Sequence, residues 1–149
     1  MYLKYKKLWE GAKTPVRANP SDAGLDVFWC PKPGTGPHLN ISPGQSVLYE
    51  TGLSFEVPHG YMLEVKNRGS MGSKGLIVGA CVVDPGYEGH VFINLNNVSS
   101  TTKRLEYGQK IAQLVLIPIV HFIPEEVEEI YQNPVAISDR GAGALGSTN

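Results

Sequence analysis

Apolar and polar residues alternate with a period of two in short runs along most of the chain. That period puts successive side chains on opposite faces of a strand, and β-branched and aromatic residues fill the runs. The pattern predicts strands at Leu3–Leu8, Asp26–Trp29, Ser46–Glu50, Leu53–Val57, Met62–Lys66, Leu76–Val78, Cys81–Val83, His90–Asn94 and Lys110–Ile117. Turn-forming clusters separate them, among them residues 31–37, Ser42-Pro-Gly44, Pro58-His-Gly60 and Asp84-Pro-Gly86. Short strands joined by tight turns predict an all-β barrel or sandwich of the jelly-roll kind. One short helix is expected at Pro124–Tyr131, where proline opens the run Glu125-Glu-Val-Glu-Glu-Ile130. There is no internal repeat and no low-complexity tract.

Composition sharpens this picture. Seventeen glycines and eleven prolines are nearly a fifth of the 149 residues, against a background of about 12%, which counts against a helical bundle. The length fits one domain, expected over residues 1–137, with 138–149 a mobile tail rich in glycine and hydroxyls. Thirteen basic against fourteen acidic residues give a net charge of −1. That balance argues against a nucleic-acid partner, which needs a clustered basic surface. No apolar stretch approaches the ~20 residues of a membrane helix, so no membrane partner is expected. Two cysteines exclude a disulfide scaffold and fit a reduced, cytoplasmic setting (the host cytoplasm for a viral chain).

Most standard motifs fail. The four histidines lie far apart without metal-ligand spacing, and no Gly-x-Ser-x-Gly elbow occurs. Gly141, Gly143 and Gly146 have dinucleotide-fingerprint spacing but lack the strand before and helix after that such a fingerprint requires. More informative is the run from Arg68 to Gly75, where glycines admit backbone N–H groups to an anion and Arg68, Ser70 and Lys74 add donors. A solvated Gly-Ser turn accounts for the same run equally well. Asp84-Pro-Gly-Tyr87 sets a carboxylate and a ring at a hairpin between two apolar strands; an aspartate that merely starts the turn is the competing reading. The chain has only four aspartates and four arginines. Asp26, Asp84, Arg68 and Arg140 all adjoin glycine-rich turns, which suits magnesium-assisted chemistry on a polyphosphate.

Taken together, the motifs resemble those of the trimeric deoxyuridine triphosphatase (dUTPase) family, all-β enzymes that cleave dUTP to dUMP and pyrophosphate. Five motifs occur in order: Ala23-Gly-Leu-Asp-Val27, Asn67-Arg-Gly-Ser-Met71, residues 79–89, Gly108-Gln-Lys-Ile-Ala-Gln-Leu114 and residues 140–149. The resemblance implies a distorted jelly-roll barrel with one short helix and a flexible C-terminal tail. It implies that Asp84 activates the water attacking the α-phosphorus, and that Tyr87 packs under the deoxyribose and excludes a 2′-hydroxyl. The backbone from Gly79 through Val82 and Val83 would read the uracil edge. Arg68, Gly69, Ser70, Gln113 and the tail residues Arg140, Gly146, Ser147 and Thr148 would hold the triphosphate, with Leu145 over the base. Asp26 would stand in the second shell of a Mg²⁺ held by phosphates and waters. The implied assembly is a homotrimer with shared active sites, and the fold leaves room for a regulatory protein partner.

Several positions depart from the family pattern. Gly69 replaces a serine, Asn67 a proline, Gln109-Lys110 an Asp-Arg pair, Leu145 a phenylalanine and Asn149 a glycine. The Leu145 change weakens base capping by roughly 0.5–1.5 kcal/mol, the worth of an aromatic contact beyond its area. The Asp84 hairpin is also similar to that of dCTP deaminases. Their catalytic glutamate falls where this chain has Asn94, and an amide cannot shuttle the required proton.

Overall fold

The computed structural model describes residues 1–131. Its regular structure is eleven strands: β1 (Lys4–Lys7), β2 (Leu25–Phe28), β3 (His38–Ile41), β4 (Ser46–Glu50), β5 (Leu53–Glu56), β6 (Tyr61–Lys66), β7 (Leu76–Val78), β8 (Val82–Val83), β9 (Phe92–Asn97), β10 (Lys103–Glu106) and β11 (Lys110–Pro118). A single helical turn, α1 (Gly69–Gly72), follows β6. Strands β2-β11-β6-β8 form the largest sheet and β4-β9-β7 a second, while β1-β5 and β10-β3 make two-stranded ribbons. All of these pairings are antiparallel.

Their inner faces meet in one core that includes Val27, Trp29, Tyr49, Leu63, Ile93, Leu95, Leu105 and Leu114. The period-two rule decides which side chains are left for chemistry. In β9, Ile93, Leu95 and Asn97 are buried, so Phe92, Asn94 and Asn96 turn to the opposite face. Asn97 is 1% exposed, and its amide is fully engaged. Its Nδ2 donates to the carbonyls of Ile41 (2.8 Å) and Thr101 (2.9 Å), and its Oδ1 accepts from the amide of Ser99 (3.0 Å). A satisfied buried amide of this kind fixes the turn after β9 against β3.

Three features differ from expectation. Strands β3 and β10 were not legible in the alternation, and they pair with each other. Residues 124–131 are not helical and are solvent-exposed throughout; the one helix among the described residues is α1. The expected helix sets Glu125, Glu126, Glu128 and Glu129 three and four residues apart, where like charges repel. Eight residues with no buried face are also too few to hold a helix alone. Finally, β9 runs to Asn97 rather than Asn94. Cys30 and Cys81 are both free thiols, and no helix among the described residues is long and apolar enough to cross a membrane.

Candidate active site

Sheet register builds the first cluster. On β11, Gln113 lies opposite Asp26 of β2 on one side and Lys66 of β6 on the other, so two of the sequence motifs share a row with the residue that precedes a third. Asp26 is half-buried, and both of its carboxylate oxygens accept from cations: Oδ1 from Arg68 Nε (2.8 Å) and Oδ2 from Lys110 Nζ (2.8 Å). Arg68 Nη1 also reaches Ser70 Oγ at 3.3 Å. Gln113 Nε2 donates to the carbonyl of Asn67 (2.9 Å), while Asn67 Oδ1 accepts the amide of Val78 (2.7 Å). The asparagine in place of proline therefore ties the end of β6 to β7. Gly24 packs against the Gln113 side chain, whose Oε1 would stand 2.6 Å from a Cβ at this position.

The glycine-rich run is more ordered than a loose cradle. It folds into α1, and the amides of Met71, Gly72, Ser73, Lys74 and Gly75 donate within the turn. Arg68 and the Ser70 hydroxyl stand at the start of this turn, bonded to each other and, through Arg68, to Asp26.

The second cluster lies on the long arm of the hairpin made by the paired strands β7 and β9, at the tight turn after β8. Strand β8 itself pairs with β6, so the hairpin expected between residues 81–83 and 90–94 does not form and this wider one takes its place. Pro85 precedes Gly86 at φ +83°, and the Tyr87 amide donates to the Asp84 carbonyl at 3.3 Å, which are the marks of a type II turn. Asp84 and Tyr87 face a cavity of about 250 Å³ that also takes in Val82, Val83, Leu48 of β4 and Asn94 of β9. Gly79, at the entrance to this hairpin, packs directly on the Asn94 and Asn96 side-chain amides, and its N–H donates to the Asn94 carbonyl (3.0 Å). Asn94 Nδ2 in turn donates to Ser46 Oγ at 2.9 Å. Tyr87 donates its hydroxyl to the backbone carbonyl of His90 (2.9 Å). Gly89 leaves room for the ring, since a Cβ there would lie 2.5 Å from Tyr87 Cζ.

The two clusters lie apart on the sheet, and none of Asp26, Arg68, Lys110 and Gln113 lines the cavity that Asp84 and Tyr87 face. Register places Lys66 level with Ala80, four residues before Asp84, and Asp26 two strands further across the sheet. Three strand spacings of ~4.8 Å and four residues of ~3.3 Å separate Asp26 from Asp84 by roughly 20 Å. The hairpin cavity is also below the ~300–1,000 Å³ usual for a whole ligand. Arg140, Leu145, Gly146, Ser147 and Thr148 lie outside the described residues. Lys110, Leu48 and His90 are site residues that the sequence did not single out. Lys110 had a signal, since it occupies the place of a motif arginine.

Arg68 with the Ser70 hydroxyl in one cluster, and a carboxylate and a ring facing a recess in the other, are groups suited to the chemistry of phosphate esters. On an all-β barrel, they define a nucleotide hydrolase. The dUTPase family model matches residues 10–148. The deoxyuridine 5′-triphosphate nucleotidohydrolase of Clostridium tetani is 36% identical over 149 residues, covering 98% of this chain and 95% of its own. That of Chlamydia trachomatis is 34% identical over 147 residues, covering 95% and 94%. The dUTPase of Staphylococcus bacteriophage 80alpha with dUPNHPP superposes with a TM-score of 0.84 at 26% identity, over 99% and 98% of the two chains. A mutant dUTPase of Staphylococcus aureus phage phi11, described with a coordinated structural Mg(II) ion, gives 0.75 at 25% identity over 87% and 99%. The chain belongs to the dUTPase family.

Proposed function

We propose that this chain, a dUTP diphosphatase, hydrolyses dUTP to dUMP and pyrophosphate with two half-sites that meet only across subunits of a homotrimer. The roughly 20 Å between Asp26 and Asp84 within one chain carries this reading. A general base must lie within hydrogen-bond reach of its water, and that water beside the α-phosphorus. The donors that hold the same triphosphate cannot then stand far off on the same protomer. Exposed apolar residues at the end of the described chain, Val120, Phe122, Ile123 and Ile130 among them, favour burial against a second copy.

In the hairpin half-site, Asp84 accepts a proton from the attacking water, and Tyr87 packs beneath the deoxyribose. The backbone from Gly79 to Val83, braced by Asn94, reads the base edge. In the other half-site, Arg68, Gly69, Ser70 and Gln113 hold the phosphates. Arg140, Ser147 and Thr148 of the tail close over them, with Gly146 allowing close approach and Leu145 covering the base. Positioning and charge neutralisation dominate such reactions, and a closing segment would exclude bulk water.

The residues fit a magnesium ion carried by the substrate. Both Asp26 oxygens already accept from cations, and among the described residues no three His, Cys, Asp or Glu converge. Asp26 would therefore stand outside the ion's inner shell, leaving that shell to phosphates and water. When bound, Mg²⁺ supplies charge neutralisation at the phosphate oxygens.

Incubating the protein with dUTP, dCTP, dTTP and UTP in the presence of Mg²⁺ tests the reading. Pyrophosphate is expected from dUTP, and ammonia from dCTP would overturn it. The Asp84→Asn variant should fold normally and lose about two to four powers of ten in turnover, the range for a general base. Near-wild-type turnover would remove Asp84 from that role.

A further inference from the structure

The polar side chains of the hairpin cavity stand at two ends. Asp84, Tyr87 and His90 gather at the turn, whereas Asn94 lies among Leu48, Ala80 and Val82. Tyr87 is bonded to the His90 carbonyl, and Asn94 is four residues further on, up to ~13 Å along an extended chain. Hydrogen bonds decide which way the Asn94 amide points. The Ile77 carbonyl can only accept, so the Asn96 atom 3.3 Å from it is the donating Nδ2. That nitrogen donates its other hydrogen to Asn94 at 3.2 Å, so the Asn94 atom it meets is Oδ1. Asn94 Nδ2 is then the atom bonded to Ser46 Oγ at 2.9 Å. A Cβ at Gly79 would collide with Asn94 Oδ1, so the glycine backbone packs on that oxygen. Among the described residues, the open group of this side chain is the second hydrogen on Nδ2.

We infer that Asn94 is a specificity-determining residue: its free Nδ2 hydrogen donates to the 4-carbonyl of uracil and so sets the preference for uracil over cytosine. The inference rests on the proposed placing of the sugar at Tyr87 and of the base against Gly79–Val83. Position 4 of a pyrimidine lies across the ring from N1, the atom that carries the sugar. A nucleotide whose deoxyribose rests on Tyr87 therefore turns position 4 away from the turn, toward the end where Asn94 stands. Uracil presents an accepting oxygen there, and cytosine a donating amino group. Asn94 cannot flip its amide to suit cytosine, because its NH₂ would then face the NH₂ of Asn96. Once a base fills the cavity, two donors facing each other have no water to turn to, and a site built around one hydrogen bond rejects the analogue that cannot make it.

The ratio of kcat/KM for dUTP to that for dCTP, read as pyrophosphate release by the wild-type protein and Asn94→Asp, tests this. Aspartate keeps the oxygen that accepts from Asn96 and packs on Gly79, and the Ser46 hydroxyl can rotate to donate to the other oxygen. The contacts that brace Gly79 survive, and only the donor is lost. The ratio should fall about tenfold or more, through KM, because dUTP loses a hydrogen bond and dCTP gains an acceptor. An unchanged ratio in a variant that melts like the wild type would overturn the inference and leave Asn94 as a brace for Gly79. If aspartate prevents folding, Asn94→Ser gives the same reading, since a hydroxyl can serve either base: a ratio lowered about two- to tenfold upholds the inference, and the wild-type ratio overturns it. Absence of pyrophosphate from dUTP with the wild-type protein would instead remove the hydrolase reading, and this inference with it.

Discussion

Tyr49 is 0% exposed, and its hydroxyl is the one buried side-chain polar atom without a hydrogen-bond partner among the described residues. The ring has a clear purpose, since it meets Trp29 edge-on at 5.9 Å in the middle of the core; the oxygen does not. A buried hydroxyl left unpaired costs about 1–3 kcal/mol, so Tyr49→Phe should stabilise the fold by about 1 kcal/mol in a denaturant titration. Burial also pushes the Tyr49 pKa up to about 12. The unfolded chain ionises nearer 10, so it binds fewer protons than the folded chain between those values, and stability must fall as pH rises through that window. The phenylalanine variant should lose that part of the alkaline decline, and an unchanged slope would show that other groups control it. Tyr87 is the counter-example, a tyrosine whose hydroxyl is satisfied and whose ring has space only because residue 89 lacks a Cβ.

Elements became legible where burial repeats along a strand. In β6 and β9 two or three inward residues alternate with outward ones, and both strands were foreseen. In β3 only Ile41 is buried and in β10 only Leu105, so neither strand has a repeat to detect. Each is defined by its partner, fifty or more residues away in sequence. The expected helix failed for the complementary reason, since good helix formers cannot replace a face to bury. The candidate site divides in the same way. The Asp84 turn was readable because proline and glycine at adjacent positions specify one turn, whereas the Lys110–Asp26 and His90–Gly52 contacts exist only through long-range pairing. A single buried side chain can nonetheless hold such a strand in place. Leu105 is 1% exposed, and Leu105→Ala should destabilise the protein by about 2–5 kcal/mol. A loss below 1 kcal/mol, read from the denaturant midpoint, would mean that β10 is held by its backbone ladder instead.

At the scale of the whole molecule, the proposed trimer gives each protomer both halves of the chemistry and lets it complete neither alone. Asp84→Asn disables the hairpin half-site and leaves the Arg68 cluster intact, while Arg68→Ala does the reverse. Each homotrimer alone should be nearly inactive. Mixed trimers behave differently if every site takes its hairpin from one subunit and its phosphate donors from the next. With random equal mixing, the hairpin is intact in half of the subunits and the donor cluster independently in half of the neighbours. About a quarter of the sites should then be whole, provided assembly is closed and cyclic. Co-refolding the two variants and measuring pyrophosphate release from dUTP reads this directly. Recovery to about a quarter of wild-type turnover requires sites shared between subunits. Activity no higher than the sum of the two parents would mean that each site is built within one chain. The roughly 20 Å between Asp26 and Asp84 would then have to close by a rearrangement of the β2-β11-β6-β8 sheet itself, whose register leaves no slack for it.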